Sequence, residues 1–514
     1  VRLAGLAIGL GAAACAGRDR PIEVLIDGSL SDWDRSVAVV VDPLDAPPDA
    51  AVDLAGIRLA DDPHYLYFQL DIGRSVNAQS HRGFIRLLLD ADGDAATGPE
   101  VAGVAGVDFA VELSRQDVPR LRGYGGGTGV RIANDTGLGP VRHGAAAGLL
   151  VAPTTAASRF ELRLRRWSPP SGAAPLFAGR AVRIKALSGD AGGVRDETVV
   201  GTYRLRSRAA RTPPPSFEGS LAKTPRTHRV MAWNVAGDRL WEQAESARRV
   251  FAAIGADLVL LDELARDAAP ERIASLLPGT GWKVLIGSGG GRQRGAVAAR
   301  LALEPAVELE RVPYRTELGR LIAAFGDPAS PGLEAREQAA GIATTGAWVG
   351  FEGQLVLAVP VDLQSAGYAG SGEDQLRIVQ AEHIRERLDH AMAARPGGAV
   401  VLGGDLNLVG STIPLDRLRA GSPRLEPVDA FRLADRSQVT WRADGAPFTP
   451  GRLDFILVSP SLAPVRAFVF DPEDLGERLR AELGIERGDA RAVSDHLPVV
   501  VDLVLRSGSG GTDR

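Results

Sequence analysis

Cysteine is almost absent, with one among 514 residues. That excludes an intramolecular disulfide framework and any zinc or iron–sulfur site built on several thiolates. Lysine is nearly as scarce: Lys185, Lys223 and Lys283 are the only ones, although lysine and arginine together number 59. With the many alanines and glycines, this skew reads as base composition and not as function. No apolar run reaches the roughly 18 residues of a spanning helix, which excludes a polytopic membrane protein. What is present is ordinary: 45% hydrophobic residues, 24% charged and a net charge of −5. This is the profile of a globular chain of two to four domains, long enough to fold on its cores without staples.

The single cysteine sits in an informative place. Arg2 precedes an apolar, small-residue run from Leu3 to Ala14, then Cys15 and Ala16-Gly17-Arg18. A basic start, a short apolar stretch and small residues at its end form a secretory signal pattern. The three alanines before Cys15 resemble the lipobox of bacterial lipoproteins, although Ala12 stands where a larger aliphatic residue is usual. A plain signal peptide, or an apolar N-terminus with an incidental cysteine, fits the same residues. The expectation is a signal segment over 1–17 and export. Lipidation of Cys15 would then tether the protein in the periplasm or at the cell surface, touching the membrane only through the lipid.

Composition then divides the chain near Arg211-Thr-Pro-Pro-Pro-Ser216, and consecutive prolines favour an extended, semi-rigid spacer over 209–226. Upstream, residues 21–208 read as short strands, among them Leu66–Leu70, Phe84–Leu89, Phe109–Leu113 and Phe160–Leu164. Such a series predicts an all-β sandwich. This region resembles the sandwich domains of family 9 carbohydrate-binding modules. The likeness is carried by Ile26-Asp-Gly-Ser-Leu-Ser-Asp-Trp33, Asp61-Asp-Pro-His-Tyr-Leu-Tyr-Phe68, Leu89-Asp-Ala-Asp-Gly-Asp-Ala-Ala-Thr-Gly98 and Gly106-Val-Asp-Phe109. It implies a binding or spacer domain, with glycan as a candidate ligand. Trp33 and Trp167 are candidates for stacking on sugar, with a core position the commoner fate of such a residue. Asp90, Asp92, Asp94 and Asp108 are candidate oxygen ligands for Ca²⁺, since residues 21–110 sum to −11. The spacing is not that of an EF-hand, and a tight Asp/Gly turn explains it equally well.

The remainder, 227–506, changes pattern, and 507–514 reads as a flexible tail. Apolar strands are expected at Arg229–Val235, Ala256–Leu264, Trp282–Gly287, Ala347–Phe351, Gln354–Leu363, Ala399–Leu406, Leu453–Ser459 and Leu497–Leu505, with helices over Leu240–Ile254 and Glu373–Ala393. This alternation predicts a layered α/β domain. Polar residues stand at strand ends: Asn234, Glu263, Asp405 and Asn407 in Gly404-Asp-Leu-Asn407, Asp454, and Asp495-His496 in Ser494-Asp-His496. Taken singly, Asp405 and Asn407 also fit a turn, Asp495 a helix cap and His496 a core histidine.

Taken in order, from about Arg226 to Leu505, they resemble the endonuclease/exonuclease/phosphatase superfamily. The resemblance implies a four-layer α/β sandwich of two packed sheets flanked by helices, and metal-dependent cleavage of phosphodiesters. Such cleavage needs a cation to polarise a phosphoryl oxygen, an activated water, and donors for charge growing on phosphorus. Glu263 is then the principal ligand of Mg²⁺ or Mn²⁺, helped by Asn234, with Asp495 adding a contact. Asp405 orients and deprotonates the water, Asn407 donates to a phosphate oxygen, and His496 binds the phosphoryl group with Asp454 holding its ring.

One position departs from the family. In Leu357-Ala-Val-Pro-Val-Asp-Leu-Gln-Ser365, Asp362 occupies the place where a histidine is common. An ionised carboxylate cannot donate to phosphate, so it either serves a metal ion or marks a remodelled site. Residues 231–514 sum to −8 without a basic stripe, which argues against tight, processive DNA binding. Arg292 and Arg294 in a glycine-rich loop are minor phosphate candidates, and a solvated turn fits that loop better. Two readings follow: an exported phosphoesterase acting on nucleic acid, lipid headgroup or small phosphodiester, or a weakened relative serving as a glycan-binding surface protein.

Overall fold

The computed structural model describes residues 24–33, 36–115, 126–166, 177, 179–210, 212, 214–291, 293–314, 340–443 and 445–506. The signal segment with Cys15, Trp167, Arg292 and the 507–514 tail lie outside them.

Alternation of side chains across a pleated strand decides the N-terminal half. In Tyr65–Val76, Leu66, Phe68, Leu70 and Ile72 point to one side and are buried. In Phe84–Asp90 the matching set is Ile85, Leu87 and Leu89. The first strand belongs to a five-stranded sheet that includes Ala157–Arg165, and the second to a larger sheet that includes Phe109–Leu113 and Ala181–Asp190. Both sheets send residues into one hydrophobic core. The strands expected from sequence fall within these elements. Trp33 is not available to a sugar: it is 2% exposed, and its indole Nε1 donates to Glu161 Oε1 at 2.6 Å. The Ca²⁺ candidates divide. Asp90, Asp92 and Asp108 converge, while Asp94 turns back to accept from the Ala96 amide. Asp90 also pairs with Arg183 and accepts from the Gly93 amide, so an Asp/Gly turn with a counter-charge and a cation-sized carboxylate group occupy the same residues.

The second half is built on two further sheets. One carries the parallel pair His228–Asn234 and Leu258–Ala265, flanked by Gln293–Ala299 and Val499–Leu505. The other carries the parallel pair Gln354–Asp362 and Ala399–Asp405, flanked by Ala347–Phe351 and Asp454–Val458. Their facing sides share a core that includes Val230, Ala232, Leu260, Val356, Ala358, Val401 and Ile456. Helix Ala244–Ile254 covers the first sheet through Val250, Phe251 and Ile254. Helix Gly372–Ala394 covers the second through Leu376, Ile384 and Leu388, against Leu357, Val359 and Leu402. Ser371 caps that helix by accepting from the Asp374 amide. The layering helix, sheet, sheet, helix follows from these contacts. No helix among the described residues is long and apolar enough to cross a membrane.

The segment expected to be a spacer is anchored along much of its length. Phe217 bridges to Leu475, Leu221 is buried in the core of the second half, and Thr224 donates to Asp502. The prolines break regular structure, but the apolar and hydroxyl side chains after them find partners on the C-terminal sheet.

One titration follows from the N-terminal half. His81 is partly buried, its Nδ1 accepts from the Gly83 amide, and its Nε2 is enclosed without a partner among the described residues. Burial therefore lowers its pKa from 6.5 to about 4. The unfolded chain takes up a proton near 6.5 and the folded one only near 4, so stability is full above 6.5 and is lost as pH falls through this window. Up to about 3 kcal/mol is expected from this group. Comparing thermal melts at pH 7 and pH 4.5 tests it: His81→Asn, which keeps an acceptor near Nδ1, should lose less than wild type on acidification. Equal losses would refute the assignment.

Candidate active site

Sheet register assembles the polar strand ends. Asn234 pairs with Asp262 across the first parallel pair. In the second sheet Asp362 pairs with Asp405, and Asp405 with Asp454, so three aspartates stand abreast at one edge. Two glycines permit the approach. A Cβ on Gly404, at φ +142°, would lie 2.2 Å from the Val361 carbonyl oxygen, and one on Gly403 would press on Ala232, Ile456 and Leu260 of the two sheets.

Asp405 is the hub. Its Oδ1 accepts from the Asn407 amide at 2.8 Å, and its Oδ2 accepts from Asn407 Nδ2 at 2.8 Å and Asn234 Nδ2 at 3.3 Å. His496 Nε2 lies 3.7 Å from the same Oδ2, and His496 Nδ1 lies 2.9 Å from Asp454 Oδ2. Asp454 is aligned by Thr440, whose Oγ1 accepts from its amide. Burial lifts the Asp405 carboxyl to about 7 against the opposing pull of His496. Burial alone would discharge His496, but Asp454 and Asp405 outweigh it and raise its pKa well above 6.5. The imidazolium form is thus favoured, with Nδ1–H directed to Asp454 and Nε2–H on the side of Asp405.

A second group shares Asp405: ligand atoms of Glu263, Asp362 and Asp405 all lie within 4.8 Å of one another. Glu263 sits in a bulge, where pairing with Gln293–Ala299 shifts between Leu261 and Leu264. Its φ is +52°, and Asn407 and Ala236 have φ of +47° and +50°. Three non-glycine residues in this costly region at or next to the polar strand ends mark a geometry that its surroundings impose. The Asp362 carboxyl is 8% exposed and accepts no hydrogen bond from any described residue. Burial, then Glu263 and Asp405, push its pKa well above the usual carboxylate range.

Of the residues expected from sequence, Asn234, Glu263, Asp405, Asn407, Asp454 and His496 come together. Asp495 joins neither group; its Oδ2 accepts from the Trp441 indole at 3.0 Å. Asn407 Nδ2, expected to face phosphate, donates to Leu363 O as well as to Asp405. Arg294 stands opposite Leu264, next to Glu263 in the chain. Asp262 was missed as a site residue. It is fully buried, its Oδ2 accepts from the Asp405 amide at 3.0 Å, and its Oδ1 has no partner among the described residues. Burial and the aspartates Asp362, Asp454 and Asp405 raise its pKa far above 3.8. A carboxylate inside the apolar run Leu258–Leu264 was the available signal.

The sequence model of the Endonuclease/Exonuclease/phosphatase family matches residues 231–496, more than half of the chain. The chain belongs to that family. All residues brought together above lie within the matched span of this family member. Its fold is similar to a humanised TDP2 from D. rerio (17% identity, 54% of this chain and 99% of that one, TM-score 0.36) and to an endonuclease/exonuclease/phosphatase from Bacteroides vulgatus (16%, 55% and 99%, 0.37). It is likewise similar to the human Nocturnin catalytic domain (15%, 55% and 97%, 0.36). Likeness at these values transfers no substrate. No curated protein matches the sequence.

The crowded carboxylates of this family member predict a trade between stability and cation binding. Because the folded-state pKa of Asp362 is raised, its ionisation costs stability increasingly as pH climbs above the unfolded value. In metal-free protein at pH 8, Asp362→Asn should therefore raise stability by about 1 kcal/mol, with the gain shrinking toward pH 5. Adding Mn²⁺ should then raise the melting temperature of wild type more than that of the variant. A variant that is less stable at pH 8, or stabilised equally by Mn²⁺, would contradict this account.

Proposed function

We propose that this chain is a divalent-metal-dependent phosphodiesterase that cleaves its substrate by attack of an activated water. The observation carrying the reading is the double membership of Asp405, which links an uncompensated carboxylate group to an imidazolium. Glu263, Asp362 and Asp405 fit a hard cation. They are three close carboxylates, and among the described residues no lysine or arginine forms an ion pair with any of them. Bound there, Mg²⁺ or Mn²⁺ would polarise a phosphoryl oxygen and lower the pKa of water.

The chain's own groups supply the rest. Asp405, held by two asparagine amides, accepts the proton of the attacking water as the new P–O bond forms. His496 donates from Nε2 to a non-bridging oxygen, its ring locked by Asp454, while the bond to the leaving oxygen breaks. Ionised beside a bound cation, Asp362 would not donate as a histidine does, so His496 carries more of the phosphate recognition. The charge of −8 over 231–514 and the lack of a basic stripe support a small or headgroup phosphodiester over a long duplex. In this reading the N-terminal pair of sheets is a sandwich of spacer type, because buried Trp33 removes one of the two stacking candidates for glycan. Residues 2–17 support export and tethering through Cys15. Labelling with a palmitate analogue in a bacterial host should mark wild type and not Cys15→Ser; label on both, or on neither, argues against the tether.

Hydrolysis of bis-p-nitrophenyl phosphate, sphingomyelin and plasmid DNA, titrated with Mg²⁺ and Mn²⁺, tests the chemistry. Glu263→Ala and Asp405→Asn should each lower kcat by roughly 100-fold or more, and chelation should abolish turnover. If wild type and Glu263→Ala are equally inert at every metal concentration, the hydrolase reading fails and the weakened-relative reading stands. Equal activity of the two would instead remove Glu263 from the site.

A further inference from the structure

Three chain segments leave the active-site edge, and the N-terminal half grips all of them. The first follows Asp362: the Ala369 amide donates to Asn77 Oδ1 at 2.8 Å. The second follows Asn407. Asn77 Nδ2 donates to the carbonyls of Val409 at 2.9 Å and Gly410 at 3.2 Å, Thr154 Oγ1 donates to Leu408 O at 2.6 Å, and the Ala156 amide donates to Gly410 O at 2.8 Å. The third is the segment 441–451, whose Trp441 bridges to His496 and whose Thr449 donates through both N and Oγ1 to Gln79 Oε1. Asn77 is 5% exposed, so its amide is committed to these loops and not to solvent.

The physical need is visible in the backbone. Asn407 holds a positive φ that costs free energy, and such a conformation persists only where neighbours over-determine it. Within the C-terminal half, Asn407 is fixed on its upstream side by Asp405 and Leu363. Downstream, the next three carbonyls, of Leu408, Val409 and Gly410, are all held by residues of the N-terminal half. Releasing them would let the Asn407 amide swing away from Asp405.

We propose that the N-terminal domain is a built-in brace for the active-site loops, with Asn77 as the positioning residue that ties the loop after Asp362 to the loop after Asn407. The claim rests on the reading of Asp405 and Asn407 as the reacting edge, but its mechanical part is separable from it. Asn77 acts on kcat through the placement of Asn407 and not through substrate contact.

The test uses the full chain and compares Asn77→Ala with Arg163→Ala. Arg163 pairs with Asp435 across the same two halves and, among the described residues, makes no hydrogen bond or ion pair to the three loops. Asn77→Ala should lower kcat for bis-p-nitrophenyl phosphate by roughly 10- to 100-fold with KM within about twofold. Its peptides covering 363–371 and 406–412 should exchange amide hydrogens faster than in wild type. Arg163→Ala should lower the melting temperature while leaving kcat and those exchange rates at wild-type values. The brace is overturned if Asn77→Ala keeps wild-type exchange in both loops, or if Arg163→Ala reproduces its loss of kcat. Should wild type and Glu263→Ala prove equally inert, the phosphodiesterase reading falls, and the exchange comparison alone still decides the brace.

Discussion

Negative charge without enough positive charge beside it is the constraint around which this protein is organised. Asp262, Asp362, Asp405 and Asp454 are all buried at one edge of two sheets, with Glu263 at the rim and His496 as the one cationic group in contact among the described residues. Burying even one unpaired carboxylate is costly, so a row of them survives only if protons or a cation share the load. The core supplies the stability that tolerates this. The facing sides of the two sheets and the helix residues packed on them are mostly apolar, with buried polar groups at the site edge and also elsewhere, as in the Arg229–Asp502 pair and at Arg377. Function here lives on the difference between a large apolar interior and a small, deliberately unbalanced edge.

Asp405 shows how several roles converge on one side chain. Its two oxygens are divided between amides that fix direction and a histidine that modulates charge. Asp362 and Asp454 flank it through strand register, so neither can move without disturbing the sheet. The substitution of Asp for a common His at 362 thus changes the charge state of the whole edge and not one contact.

Much of this was legible in the sequence, for identifiable reasons. The strands Ala347–Phe351 and Ala399–Asp405 could be read because apolar runs with polar termini are how a buried sheet announces its exits. The candidate residues that come together were legible because each sits at such an exit or within three residues of one. What escaped depended on partners distant in the chain. Asp262 read as a neighbour of Glu263, yet its carboxylate turns inward to the Asp405 amide, 143 residues away. Asp495 stands next to His496 in the chain, yet its Oδ2 accepts from the Trp441 indole and it joins neither carboxylate group. Asn77 carries no motif, and its part emerges only where two halves of the chain meet. The proline-rich stretch misled because composition reports backbone stiffness and is silent on whether Leu221 finds a core.

Gly403 and Gly404 invite a last thought about what a motif records. The pair lies just before Asp405, and added side chains there would collide with the partner strand and the opposing sheet whether or not any chemistry occurs. Drift in a descendant that no longer turns over substrate would therefore erase Glu263 or His496 well before it touched these glycines. A Gly-Gly-Asp signature found in a genome testifies to two sheets at close quarters; whether a living enzyme stands behind it must be asked of the residues that packing would let go.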